Sequence, residues 1–146
     1  MNKSYSNLDN ARFDDQKEIM ERLEQKGLCP FCEENMNDTE VLPALRDASH
    51  WHITNNRWPY KSAHVHLLLI SKMHCEDLND LTSEAWSELL HLIQWAEKEY
   101  QIHSGGLGMR FGDVKYNGGT VQHLHVHLFV PKEKGDDYEP IRFKIG

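Results

Sequence analysis

Residues 121–130, VQHLHVHLFV, alternate with a period of two. Such alternation marks a β-strand, whose successive side chains point to opposite faces. Leu124, Val126, Leu128 and Val130 make one face apolar, while His123, His125 and His127 share the other. A chain carrying this strand must bury one side against a core and find a use for three imidazoles on the opposite side. Neighbours on that face stand roughly 6.5–7 Å apart and the outer pair roughly 13 Å. Three uses are open: polar surface, one metal held by all three, or divided chemical roles. The outer spacing strains a single metal site, since each ligand bond is only about 2 Å long. The preceding turn NGGT favours divided roles at a phosphate. After Asn117, Gly118 and Gly119 can turn backbone N–H groups toward an anion, and Thr120 adds a hydroxyl. One neutral imidazole could attack phosphorus while a neighbour protonates the leaving oxygen.

The rest of the chain suggests one α+β domain with a mostly antiparallel sheet and two main helices. Residues 8–26 read as a polar helix closed by Gly27, with so few apolar positions that it belongs on the surface or at an interface. Segments 47–54 and 63–70 read as strands. The second, AHVHLLLI, becomes wholly apolar and suits a central strand. Residues 83–103 make the strongest helix, with Trp86, Leu89, Leu90, Ile93 and Ala96 as its expected buried stripe. Thr82 or Asp80 would cap it, and the SGG at 104–106 would end it. Segment 107–114 reads as another strand, Pro131 stops the last one, and the tail is irregular until PIRFKI.

With 146 residues, 39% of them hydrophobic, the chain can support one core. Its net charge of −7 argues against a nucleic-acid backbone as partner, but not against a small phosphorylated ligand. The longest clean apolar run, LLLI at 67–70, is too short to cross a membrane. The first 25 residues lack the apolar stretch of a secretion signal, so a cytoplasmic location is expected. Three cysteines, Cys29, Cys32 and Cys75, do not make a disulfide framework. Cys29 and Cys32 form CPFC, either a redox dithiol or half of a zinc site. Redox motifs of this kind open a helix after a strand, whereas this one follows a helix and Gly27.

At HLHVHLFV the sequence resembles the histidine triad (HIT) family, whose signature alternates histidine with apolar residues. Upstream, NRWPYKSAHVHLLLISKMH at 56–74 is similar to the family's Asn-x-x-Pro segment and the strand after it, and NGGTV at 117–121 sits where the family has its phosphate-binding turn. The resemblance spans residues 29–131, leaving 1–28 as a helical extension and 132–146 as a tail. It implies a HIT-like fold, a homodimer, and nucleotide hydrolysis or nucleotidyl transfer at an α-phosphate; the alternative is a nucleotide-binding regulatory protein with little turnover. His125 would be the nucleophile, His127 would contact the phosphate, and His66 would be the upstream active-site histidine, favoured over His64 by its spacing from His74. Asn117, Gly118, Gly119 and Thr120 would hold the phosphate, with Asn56 and Trp58 near the nucleoside. Some members pair a CxxC with two histidines around a structural zinc, which implies Cys29, Cys32, His74 and His123 here, with Cys75 as a rival to His74. Departures from the family pattern are Val65 before His66, Ser71 for proline, and Gly112 with Asp113 at the phosphate strand. For the dimer, the helix at 83–103 is the expected interface, because Trp95 falls outside its stripe.

Overall fold

The computed structural model describes residues 3–36 and 42–146; positions 37 and 38 of the loop after CPFC lie outside them. Five strands form one antiparallel sheet: β1 (Ala44–Asp47), β2 (Trp51–Asn55), β3 (Ala63–Ser71), β4 (Gly106–Met109) and β5 (His125–Pro131). Their spatial order is β1-β2-β3-β5-β4, so β3 and β5, which carry His66, His125 and His127, lie side by side. The helices are α1 (Asp14–Lys26), α2 (Ser83–Glu99) and one turn, α3 (Val114–Asn117). No described helix is long and apolar enough to cross a membrane.

Residues 47–54 are two strands rather than one. The chain reverses at Ala48–His50, a turn without glycine or proline and hence without a sequence signal. Its exposed backbone donors are satisfied from outside: the Glu88 carboxylate on α2 accepts from the N–H groups of Ser49, His50 and Trp51 at 2.6–2.9 Å. The stripe expected on α2 is also corrected. Ala85, Leu89, Leu92 and Ala96 are buried, whereas Trp86 and Leu90 are 43% and 53% exposed. The buried Trp51 indole donates to the Ala85 carbonyl at 2.9 Å, so the sheet approaches at alanine and the helix turns Trp86 outward. Thr82 caps the helix by accepting from the Ala85 N–H. The helix ends at Glu99 rather than 103, because Gln101 adopts a left-handed φ of 50°.

The α2 side of the sheet is a dry core of Trp51, Ile53, Leu67, Leu69, Val126 and Leu128. The other side is buried too. Helix α1 begins at Asp14 rather than 8, ends at Gly27 in the left-handed region, and buries Ile19, Met20 and Leu23. It is therefore a covering element and not a surface helix: these three side chains are buried, and Met20 joins a layer of Cys29, Phe31, Leu68 and Ile70.

Two further boundaries move. The strand expected at 107–114 stops at Met109, since Gly112 has φ of 77° and Asp113 then caps α3 by accepting from the Lys115 N–H. The strand expected at 121–130 begins only at His125. Val121 makes a lone bridge to Ser6, and Gln122 donates its N–H to the Tyr5 carbonyl. His123 therefore lies in a bend just before β5, which frees its side chain to turn away from the other two histidines.

Candidate active site and metal cluster

His123 turns toward the CPFC loop. Its Nδ1 is 3.4 Å from Cys29 Sγ and 3.8 Å from Cys32 Sγ, while His74 Nδ1 is 3.3 Å from Cys32 Sγ. The four ligand atoms of Cys29, Cys32, His74 and His123 all lie within 4.8 Å of one another. For bonds of about 2.0–2.3 Å, tetrahedral ligands stand roughly 3.5 Å apart, so this cluster could hold one metal ion. The imidazoles are oriented for it. His123 Nε2–H donates to the Ser71 carbonyl at 2.6 Å, and His74 Nε2–H donates to Glu76 Oε1 at 2.8 Å. Both outer protons are thereby fixed, and both Nδ1 lone pairs face the thiols, the arrangement that metal-binding histidines adopt. Burial would push the Glu76 carboxyl up, yet hydrogen bonds from Lys3, His74 and Gln122 outweigh it and hold the group at about 2, ionised behind His74. Burial pushes the Cys29 thiol up to about 12 and raises Cys32, so thiolates persist here only beside a cation. Cys75 is buried but outside the cluster; its sulfur contacts the Ser71 hydroxyl.

The other two triad histidines line a cavity of about 620 Å³ that His123 does not reach. His125 Nδ1 is 2.6 Å from the His123 carbonyl, which can only accept, so Nδ1 carries the proton and Nε2 keeps a free lone pair. Phe31, between the two cysteines, packs edge-on against the His125 ring with centroids 4.9 Å apart.

Behind His127 lies a relay whose proton positions follow from one backbone group. The Tyr60 N–H can only donate, and it donates to His66 Nδ1 at 3.0 Å. His66 must then carry its proton on Nε2, which lies 2.8 Å from His127 Nδ1. His127 in turn must be protonated on Nε2, a buried atom with no hydrogen-bond partner among the described residues. A hydrogen-bond donor is thus held beside a lone pair, both on a cavity wall. Burial lowers the affinity of all three rings for a second proton: His66 falls to about 3, with Arg12 adding to the effect, His125 to about 4, and His127 well below its usual value.

The remaining residues singled out from sequence fall around this cavity. His66 stands behind His127 rather than on the wall, while His64, which shares its strand, is exposed. The Asn56 amide nitrogen lies 3.2 and 3.4 Å from the ring nitrogens of His66, and its oxygen accepts the Trp58 N–H. Trp58 lines the cavity and anchors its indole N–H on Asp15. Gly118, with φ of 77°, and Thr120 line it as well. The Gly119 N–H is held by Asn117 Oδ1, and the Thr120 hydroxyl donates to the Asn10 carbonyl, so both brace the turn. Tyr60, Phe31, Arg12, Arg110 and Phe143 were not singled out. Tyr60 stacks on His127 and Phe129, and Phe143 from the tail packs on His127 at 5.2 Å. Only the position of Tyr60 beside the Asn-x-x-Pro segment hinted at such a role.

The profile of the HIT domain matches residues 61–134 of the chain. Among curated proteins, a bis(5'-adenosyl)-triphosphatase from Dictyostelium discoideum is 33% identical over 73 residues, 49% of this chain and 48% of that protein. An uncharacterized HIT-like protein from Chlamydia muridarum is 35% identical over 72 residues, 47% of this chain and 56% of that protein. The chain spans about half the length of the curated relatives it matches. Among solved structures, a Zn-bound histidine triad family protein from Mycobacterium smegmatis has the same fold with a TM-score of 0.54 at 24% identity, covering 79% of this chain and 82% of that one. With a profile match over half its length that contains the central strands and all three triad histidines, the chain belongs to the HIT domain family.

Proposed function

We propose that the protein is a nucleotide hydrolase or nucleotidyl transferase that works at an α-phosphate through a covalent intermediate on His125. The observation that carries this reading is the free Nε2 lone pair of His125, fixed by the His123 carbonyl and facing a cavity. In the first step Nε2 attacks phosphorus, a P–N bond forms, and the bond to the leaving oxygen breaks with its electrons going to that oxygen. The proton stays on Nδ1 and goes on donating to the His123 carbonyl, which steadies the positive charge that develops on the ring. His127 donates its Nε2–H to an oxygen of the reacting phosphate, and His66 keeps that proton in place. In the second step water or another acceptor attacks phosphorus and releases His125. Of the turn at 117–120, Gly118 and Thr120 line the cavity and would lie beside the phosphate, while Asn117 and Gly119 brace the turn behind them; Asn56 and Trp58 would lie near the nucleoside. The D. discoideum relative, a bis(5'-adenosyl)-triphosphatase by name, supports a nucleotide substrate.

In this reading Cys29, Cys32, His74 and His123 hold one structural zinc. Bound there, the ion supplies a cross-link between the CPFC loop and the start of β5. The family habit and the outward-facing Trp86 and Leu90 of α2 support a symmetric homodimer. Light scattering at tens of micromolar, roughly where weak association appears, should give twice the chain mass, and a monomer would refute the pairing.

The covalent step is tested by mixing the protein with a nucleotide substrate labelled at the α-phosphate and quenching within milliseconds. An acid-labile label should appear on the protein and be absent from the His125→Ala variant. Label carried by the variant, or turnover without any labelled protein, would sink the mechanism.

A further inference from the structure

The protein is acidic overall, yet its cavity is not. Among the described residues that line it, six are cations: Arg12, Arg57, Lys61, Arg110, Arg142 and Lys144. Only Asp9 and Glu139 oppose them, and Glu139 is taken up by Lys61 at 2.7 Å. Two of the cations are held in place with no carboxylate partner among the described residues. The Arg12 guanidinium lies over the Tyr60 ring, 4.1 Å from its centroid, and donates to the carbonyls of Trp58 and Pro59. Arg110 lies over the Phe143 ring at 4.0 Å, donates through Nε to the Lys144 carbonyl at 2.9 Å, and reaches the Tyr60 hydroxyl at 3.3 Å. These partners are neutral, so both charges stand uncompensated, and each guanidinium keeps free N–H groups. Both guanidiniums meet at Tyr60, Arg12 over its ring and Arg110 at its hydroxyl, and the same ring stacks on His127. Two like charges fixed side by side, next to the unpartnered Nε2–H of His127, describe a site for an anion larger than one phosphate.

We infer that Arg12 and Arg110 bind the leaving group and select substrates in which it is itself phosphate-terminated, a phosphoanhydride rather than a phosphoramidate. The inference rests on the mechanism proposed above and adds the other side of the scissile bond. When a P–O–P link breaks, the bridging oxygen leaves with the electron pair as part of a phosphate and gains negative charge. It needs cations, not a proton. When a P–N link breaks, the nitrogen must take up a proton to leave as an amine. Fixed arginines serve the first case and do nothing for the second. The chain's organisation agrees: Arg12 lies outside the segment that matches the HIT domain, and Arg110 is oriented by Lys144 and Phe143, which also lie outside it. The triad thus supplies the attack, and the flanking segments set the leaving group.

The test compares diadenosine triphosphate with adenosine 5'-phosphoramidate, which share the adenosyl phosphate and differ in what leaves. The wild-type kcat/KM should favour the anhydride. In Arg12→Ala and in Arg110→Ala that preference should fall by about 10- to 100-fold, the worth of one charged hydrogen bond. Arg12→Lys and Arg110→Lys, which keep the charge with less disturbance of packing, should recover part of it. A wild-type preference for the phosphoramidate would overturn the inference, as would equal losses on both substrates in the lysine variants. If instead His125→Ala still turns over either substrate, it is the covalent mechanism that fails, and the two results are separable.

Discussion

Two groups of histidines lie next to each other in this protein and are put to opposite uses. In the cluster of His74 and His123, the outer nitrogens donate to Glu76 and to the Ser71 carbonyl, and the inner lone pairs converge on two thiols. In the group of His66, His125 and His127, a backbone N–H and a backbone carbonyl set the protons, leaving a lone pair on His125 and an unpartnered, buried N–H on His127, two residues that line a cavity. The residue type is the same, and all but the half-buried His74 are buried. What differs is which nitrogen each backbone partner claims, and therefore which one is left for a ligand. His123 belongs to both groups, since its ring faces the thiols and its carbonyl holds His125.

The sharpest way to break this comparison is to remove the reacting lone pair. His125→Ala should lower turnover by about a thousandfold or more while nucleotide affinity changes little, because the cationic cavity stays. A variant that keeps a substantial share of the wild-type rate would show that His125 is not the nucleophile. Next in size is loss of the metal cluster. Protein purified without an affinity tag should contain about one zinc per chain. Cys32→Ser or His74→Ala should lose it and lower the melting temperature by roughly 10 °C or more. Zinc that dialyses away without any change in melting would remove the structural role.

A smaller effect is expected behind the cavity. His66→Gln disturbs the group that holds the His127 proton without touching the phosphate, so kcat should drop about 10- to 100-fold with KM nearly constant. A rise in KM alone would mean that His66 shapes binding instead. The pH dependence follows from His66 and His125, whose folded pKa values of about 3 and about 4 lie below the ordinary value near 6.5. Between those values the unfolded chain binds more protons than the folded one, so stability is complete above pH 6.5 and falls as the pH drops toward 4. Denaturant midpoints at pH 7, 5.5 and 4.5 should decrease in that order; a flat series would contradict the buried neutral rings. The smallest effect belongs to Cys75→Ser, which should keep zinc and cost about 1 kcal/mol. Loss of zinc in that variant would move Cys75 into the ligand set.

Much of this was legible in the chain. The alternation around Leu124–Val130 required a two-faced strand, the apolar run at 67–70 required a central one, and Gly27 and Thr82 announced helix ends through their own chemistry. These are local rules, set by side-chain geometry within a few residues. Residue types alone offered CPFC only as a redox dithiol or half of a zinc site; it was the resemblance to the HIT family that added His74 and His123 to Cys29 and Cys32.

Tertiary structure decided everything that depends on a distant partner. Glu88 pins a turn 38 residues away in sequence and so divides one expected strand into two. The Trp51 indole meets Ala85 and turns Trp86 outward, which no helical period could announce. The same holds at the site. A histidine's proton has no preferred nitrogen until a fixed donor or acceptor claims the other one. Here the claimants are the backbone of Tyr60, Ser71 and His123, groups that every residue carries and no sequence pattern marks. The alternating sequence put three imidazoles on one expected strand face; the bend before His125 takes His123 out of the strand, and the atoms opposite each ring give them separate orientations.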